Sequence, residues 1–407
     1  MIKRLNLLNL NFLLNIGRKN NLQLDLPSAC FIKHYLLNHH RYHYSCKRNL
    51  YNNMSTPSST TTVPEGCLLG MCNPLLDISA VVPHTLIEKY NAPVGGAILA
   101  EEKHLPLYAE LVQNFPVRYI AGGATQNVMR VFQWMNQVSY PTAVFVGCVG
   151  DDEYGRIMKE SVTKDGLKVI YQITKERPTG TCAALVCDNE RALIANLGAA
   201  EKYSYDHYKS EEVQQAVQKA SMFYISGFFV TVSFESVLET AKHACDNNKI
   251  FSFNLSALFL IQFFHDKLMQ ILPYTDYLFG NEEEARAFAK SLNWDETDVA
   301  DIAAKVSLLE KKNSNRPRHV IFTQGPEAVC IGVNGTSHKV PVKKIPKEKI
   351  VDTNGAGDSF VGGFLSFLAQ GKSIDECVKA GIYTSSTIIQ YEGCTYPEKP
   401  DFSQIDA

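Results

Sequence analysis

From Cys67 onward, short apolar runs alternate with amphipathic stretches, and this rhythm constrains the fold more than any other feature. Runs at 67–71, 142–149, 222–225, 250–255, 277–279, 319–323 and 329–333 read as buried strands. Helical patterns occupy 154–164 and 282–292, and 357–369 and 374–390 form a closing pair. A strand too apolar to face water, followed by a helix with one apolar side, cannot bury its surface alone. Repeated, the pattern predicts an α/β chain: a three-layer αβα core whose mostly parallel sheet carries helices on both faces.

Two segments break the rhythm. Residues 78–82 with 94–100, and 181–186 with 192–196, read as β-rich insertions bounded by turn residues Pro83, Gly95, Gly96, Asp188 and Asn189. They are expected to join in a small sheet that covers the site as a lid, spanning roughly 78–120 and 178–198. The main domain is placed at 65–402 and a loose polar tail at 403–407.

Residues 1–64 stand apart. Eight Lys or Arg face one acid, Asp25, before a Ser/Thr/Pro linker beginning at Met54. This predicts a poorly ordered extension, with a mitochondrial-type targeting segment as the alternative. The histidines His34, His39, His40 and His43 lie in a polar tail without acidic partners, a poor setting for a metal. The formal charge of −2 gives no reason to expect nucleic acid or an anionic membrane as partner. Eleven cysteines without a C-x-x-C pair fit reduced thiols in the cytoplasm, with the nucleus as a second location. The chain is expected to act as a monomer on small molecules.

The chemistry concentrates in Asp352-Thr353-Asn354-Gly355-Ala356-Gly357-Asp358, which runs directly into a helical pattern. Small residues let the backbone approach a ligand, and N–H groups at a helix mouth favour negative charge. Gly355, Ala356 and Gly357 therefore make a candidate anion hole, and Asp358 a carboxylate placed to take a proton from an attacking hydroxyl. A glycine-rich turn with an N-capping aspartate is the plain alternative; the second aspartate six residues upstream and the following Gly362-Gly363 pair weigh against it.

This segment resembles the C-terminal signature of the ribokinase-like (PfkB) family of carbohydrate and nucleoside kinases, and within it the branch that phosphorylates adenosine. The resemblance extends from about Gly66 to Phe402. It takes in Asn73-Pro74-Leu75-Leu76-Asp77, Ala121-Gly122-Gly123-Ala124-Thr125-Gln126-Asn127, Gly147-Cys148-Val149-Gly150-Asp151, Pro178-Thr179-Gly180-Thr181-Cys182, Asn281-Glu282-Glu283-Glu284 and Phe322-Thr323-Gln324-Gly325, in family order. Cys72 and Ala124 depart from the glycine and serine common in relatives, and Ala124 lacks the hydroxyl that such a serine would offer the substrate.

The resemblance implies a ribokinase-like kinase that uses ATP and Mg²⁺ to phosphorylate the 5′-hydroxyl of adenosine. Asn73, Asp77, Gly122, Gly123, Asn127 and Asn354 would hold the nucleoside's sugar. Phe228, with Leu99, Cys182, Leu193 and Ala195 from the lid, would take the base, although each alone reads as an ordinary core residue. Asn281, Thr323, Gln324 and Gly325 would line the nucleotide site. Glu284 would hold Mg²⁺ through water, the alternative being an acidic first helical turn that answers the helix dipole. Arg191 would reach the transferring phosphate, or else sit as a surface residue in a polar turn. Another sugar or nucleoside kinase of the family, and a nucleoside-binding protein without catalysis, are the competing functions.

Overall fold

The computed structural model describes residues 62–94, 96–187 and 190–405. The N-terminal extension to residue 61, with its basic residues and histidines, and the turn residues Gly95, Asp188 and Asn189 lie outside the described residues.

The main sheet has nine strands in the order β14-β13-β12-β11-β10-β9-β1-β5-β6. These are β1 Leu68–Met71, β5 Ala143–Gly150, β6 Lys168–Thr174, β9 Met222–Ser226, β10 Ile250–Asn254, β11 Tyr277–Asn281, β12 His319–Gln324, β13 Glu327–Val333 and β14 Thr336–Val340. From β6 to β12 every neighbour is parallel, and the β12–β13–β14 edge is antiparallel. β1, β5 and β9 are buried along their whole length, as strands covered on both faces must be. The strand order reverses between β1 and β9. At such a switch point the following loops diverge and leave a crevice at the carboxyl edge. Asn73 and Phe228 lie just past those two strand ends.

A second sheet runs β3-β8-β7-β2-β4, built from β2 Leu75–Val81, β3 Ala97–Leu99, β4 Arg118–Gly122, β7 Thr181–Cys187 and β8 Glu190–Asn196. Both insertions enter it, but β2 and β3 are not neighbours: β2 lies between β7 and β4, and β3 pairs with β8. β4 was not legible because its first three residues are not buried and its end is Gly122. The sheet has its own core. Ile78, Ala80, Ala183, Leu185, Ala192 and Ile194 pack with Leu86 and Leu107, from the helices His84–Lys89 and Leu105–Asn114.

The closing helices are close-packed. A Cβ on Gly362 would lie 2.7 Å from Val131 on the helix Ala124–Asn136, and one on Gly363 would lie 2.3 Å from the Thr384 hydroxyl on the helix Ile374–Ile388. The tail expected to be loose is instead docked as far as Ile405. Phe402–Gln404 forms a 3-10 turn, the Asp401 N–H donates to the Tyr383 hydroxyl at 2.6 Å, and Ile405 packs on the cluster around Trp134. No described helix is long and apolar enough to cross a membrane.

Candidate active site

The strand period of two sorts the residues of the second sheet, the expected lid, by face. With Ile78, Ala183 and Ile194 in the lid core, Asp77, Cys182 and Ala195 must face the other way. Register then aligns them across all five strands: Ile120, Asp77, Cys182, Ala195 and Leu99 form one transverse row. Leu193 and Arg191 lie on the same face farther along β8.

The surroundings of Asp77 gather unsatisfied groups. The Asp77 carboxyl is buried, and that desolvation pushes its pKa up to about 7, against the pull of Arg191 and Arg130. Asn73 Oδ1 and Asn127 Oδ1 are buried acceptors without a hydrogen-bond partner. Buried acceptors are normally paired, so this set fits a ligand that brings hydroxyl donors. Gly122 leaves room for the Asp77 carboxyl: a Cβ there would lie 2.6 Å from both of its oxygens. Gly123 has φ 96°, and its Cβ would meet Asn73 O at 2.4 Å.

Facing this set is the mouth of the Ala356–Ala369 helix. Gly355 caps it at φ 75°, a left-handed conformation that favours glycine. The first turn leaves its N–H groups without partners inside the helix. Ala356 N–H leans on Thr353 O at 3.3 Å, and Gly357 N–H finds no acceptor among the described residues. Asp358 lies half-buried in the same turn, where Asn127 Nδ2 donates to its Oδ2 at 3.0 Å. Burial pushes the Asp358 pKa up to about 7, and the Asn127 hydrogen bond opposes that rise.

Asp352 braces the loop. Its Oδ1 accepts from Asn354 N–H at 2.9 Å, and its Oδ2 from Gly393 N–H at 2.6 Å. Arg191 Nε lies 3.0 Å from Asp352 Oδ1. The Arg191 side chain is only 8% exposed, so it is a buried, ion-paired residue of β8 and not one of a surface turn. Its Nη1 has no acceptor.

Beyond the helix mouth lies a cavity of about 190 Å³ lined in part by Phe228, Asn281, Glu284, Thr323, Gly357 and Asp358. Asn281 and Glu284 cap the helix Glu282–Ser291 reciprocally: Glu284 N–H donates to Asn281 Oδ1 at 2.8 Å, and Asn281 N–H and Nδ2 donate to the Glu284 carboxylate at 3.1 Å each. Burial raises the Glu284 pKa to about 7.

The sequence matches the pfkB family carbohydrate kinase over residues 87–401. The chain belongs to this family. Adenosine kinase 1 of Arabidopsis thaliana is 52% identical over 339 residues, covering 83% of this chain and 98% of that protein. The adenosine kinase of Dictyostelium discoideum is 45% identical over 325 residues, 80% and 95% of the two chains. The crystal structure of Anopheles gambiae adenosine kinase in complex with P1,P4-di(adenosine-5) tetraphosphate superposes with a TM-score of 0.78 at 47% identity, covering 82% of this chain and 99% of that one.

Of the expected nucleotide residues, two do not line this cavity. Thr323 lines the cavity, but Gln324 donates to Ala328 O at 2.7 Å and Gly325, at φ 54°, lies in the β12–β13 turn. Three residues escaped sequence reasoning. Ser256 lines the cavity in a left-handed conformation, φ 68°, with its hydroxyl accepting from Gly227 N–H at 3.0 Å. Asn254, on the same wall, accepts from Ser256 N–H at 2.9 Å. Their signal was available: small polar residues at and just past the carboxyl end of an apolar strand. Arg130 is buried and bonds Ala121 O at 2.7 Å, Cys394 O at 3.1 Å and Asp165 at 2.6 Å, tying the Gly122 turn to the C-terminal loop. Nothing in its sequence context marked it.

Proposed function

We propose that this chain is an adenosine kinase, transferring the γ-phosphoryl group of ATP to the 5′-hydroxyl of adenosine. The observation that carries the proposal is the link between its two halves. Asn127, among the unsatisfied acceptors, bonds directly to Asp358, beside the open amides of the helix mouth. Relatives that share most of this chain's length and are named adenosine kinases support the choice of acceptor.

In this reading the ribose diol donates to Asp77 and meets Asn73, Gly123 and Asn127, with Asn354 nearby. The adenine stacks on Phe228 under the lid face of Leu99, Cys182, Leu193 and Ala195, an apolar slot with few polar groups. Asp358 accepts the 5′-hydroxyl proton as the oxygen attacks the γ-phosphorus. The amides of Gly355, Ala356 and Gly357 hold the charge that develops on the transferring oxygens. Arg191 Nη1, an unpaired buried donor, is suited to the same charge. Asn281, Glu284 and Thr323 line the ATP phosphate side.

Among the described residues no three His, Cys, Asp or Glu side chains form a metal cage. A single carboxylate at Glu284, with Asp358 also on the cavity lining, fits Mg²⁺ whose other oxygens come from water and phosphate. Glu284, with Asn281, would hold that ion through water, and its chemistry would be to neutralise phosphate charge. A cytoplasmic monomer remains part of the proposal. The described cysteines form no disulfide and all but Cys245 are buried, which suits a reducing compartment.

An acceptor panel with labelled ATP tests the assignment. Adenosine is expected to be phosphorylated faster than ribose, fructose or other nucleosides. A preferred sugar would move the chain elsewhere in its family, and no ADP release with any acceptor would leave a binding protein.

A further inference from the structure

Three lid strands converge on one residue of the core, Glu392, in the loop after the Ile374–Ile388 helix. Ser79 of β2, 1% exposed, donates its hydroxyl to Glu392 Oε1 at 2.7 Å. Arg118 of β4 reaches Oε2 at 2.8 Å, and Arg191 Nη2 of β8 lies 3.7 Å from Oε1. Arg191 Nη2 also donates to the Ser79 hydroxyl at 3.4 Å, so the serine relays between them.

The same loop grips the stretch leading into the helix mouth. Val351 and Asp352 N–H both donate to Ile389 O, at 2.8 and 3.1 Å, and Gly393 N–H donates to Asp352 at 2.6 Å. Gly393 also supports β4 directly, since a Cβ there would lie 2.8 Å from Ile120. The Arg118 side chain is 74% exposed, so its pair adds little alone. The buried hydroxyl on a carboxylate is a charge-assisted bond, and Arg191 sits between two carboxylates, Asp352 and Glu392.

We propose that Glu392 is a positioning residue that latches the lid to the anion loop, so that closure over the acceptor and the pose of Asp352 are set together. It touches no reacting atom and acts through Ser79 and Arg191. The proposal rests on the reading that the lid covers the acceptor nucleoside.

The test compares full-length wild type with Glu392→Gln and Glu392→Asp, varying adenosine and ATP separately, and follows amide hydrogen exchange in the ligand-free proteins. In Glu392→Gln the adenosine KM should rise roughly tenfold, as for a lost hydrogen bond to a charged group, with the ATP KM within about twofold. Exchange should quicken in β2 and β8 but not in β9 and β10, and Glu392→Asp should recover part of both effects. An unchanged adenosine KM with unchanged lid exchange overturns the latch, as does faster exchange spread evenly over both sheets. If wild type fails to phosphorylate adenosine, the parent reading falls while the exchange arm still judges the latch.

Discussion

Asn127 Nδ2 and Asp358 Oδ2 meet at 3.0 Å although 231 residues separate them. The contact joins the helix that follows the Gly122-Gly123 turn to the helix that opens on Gly355, so in the proposed reaction it would couple acceptor binding to the site of transfer. It engages one carboxylate oxygen of Asp358, and the other is the one the proposal gives to the substrate hydroxyl.

Asp358→Asn removes the proton acceptor while keeping shape and size. Turnover should fall by roughly two to four orders of magnitude, the usual weight of a positioned base. Adenosine binding, followed by calorimetry, should change little. Near-wild-type turnover would remove Asp358 from its role.

The pH profile depends on the same residue, alongside Asp77 and Glu284, whose pKa values burial also raises to about 7. With its pKa raised to about 7 by burial, Asp358 is protonated and inactive as a base below that value, so kcat/KM should rise through neutrality and level off above it. The Asn127 bond favours the ionised form, so Asn127→Leu should move this limb to higher pH. A limb that stays in place, or moves towards acid, would contradict the assignment.

The two adjacent glycines should fail differently. Gly122→Ala places a methyl against both Asp77 oxygens, so acceptor affinity should drop sharply with a small change in melting temperature. Gly123→Ala forces a side chain into φ 96° and into the Asn73 carbonyl, which should cost about 1–3 kcal/mol of stability. Steady-state kinetics beside thermal melts separates the outcomes; matching profiles for both variants would count against the acceptor site.

Glu284 has a capping role and a proposed cation role, which two substitutions separate. Glu284→Gln retains much of the hydrogen bonding to Asn281, so stability should hold while half-maximal activity needs about tenfold more Mg²⁺, the upper loss expected of an outer-shell partner being larger. Glu284→Ala loses the capping box as well and should cost a further ~1 kcal/mol in denaturant melts. Unchanged Mg²⁺ dependence in the Gln variant would leave Glu284 a helix cap alone.

Sequence legibility followed the strength of local signals. Seven of the nine strands of the main sheet were readable because residues such as Val144, Phe145 and Phe223 need cover on both faces, whereas the edge strands β6 and β14, largely unburied, were not. The row Asp77, Cys182, Ala195, Leu99 was not, because register between distant strands is a property of the assembled sheet. The helix Ala124–Asn136 was missed because Thr125, Gln126, Asn127, Arg130 and Gln133 are buried on it, which erases the polar stripe that marks a helix. Asp358 stood out through its glycines, whereas Ser256 offered only a small polar residue just past an apolar strand, a signal too common to single it out, and its left-handed backbone was not legible. The burial of Arg191 was hidden because its partners, Asp352 and Glu392, come from far down the chain.

Gly362 has no side chain, and that bareness sets how deeply the Ala356–Ala369 helix nests against Ala124–Asn136, as Gly363 does against Ile374–Ile388. The Asn127–Asp358 separation is therefore governed by one missing methyl group a turn beyond it. A single carbon added at Gly362 would act as a shim, lifting Asp358 off Asn127 from a position that lines no part of the cavity.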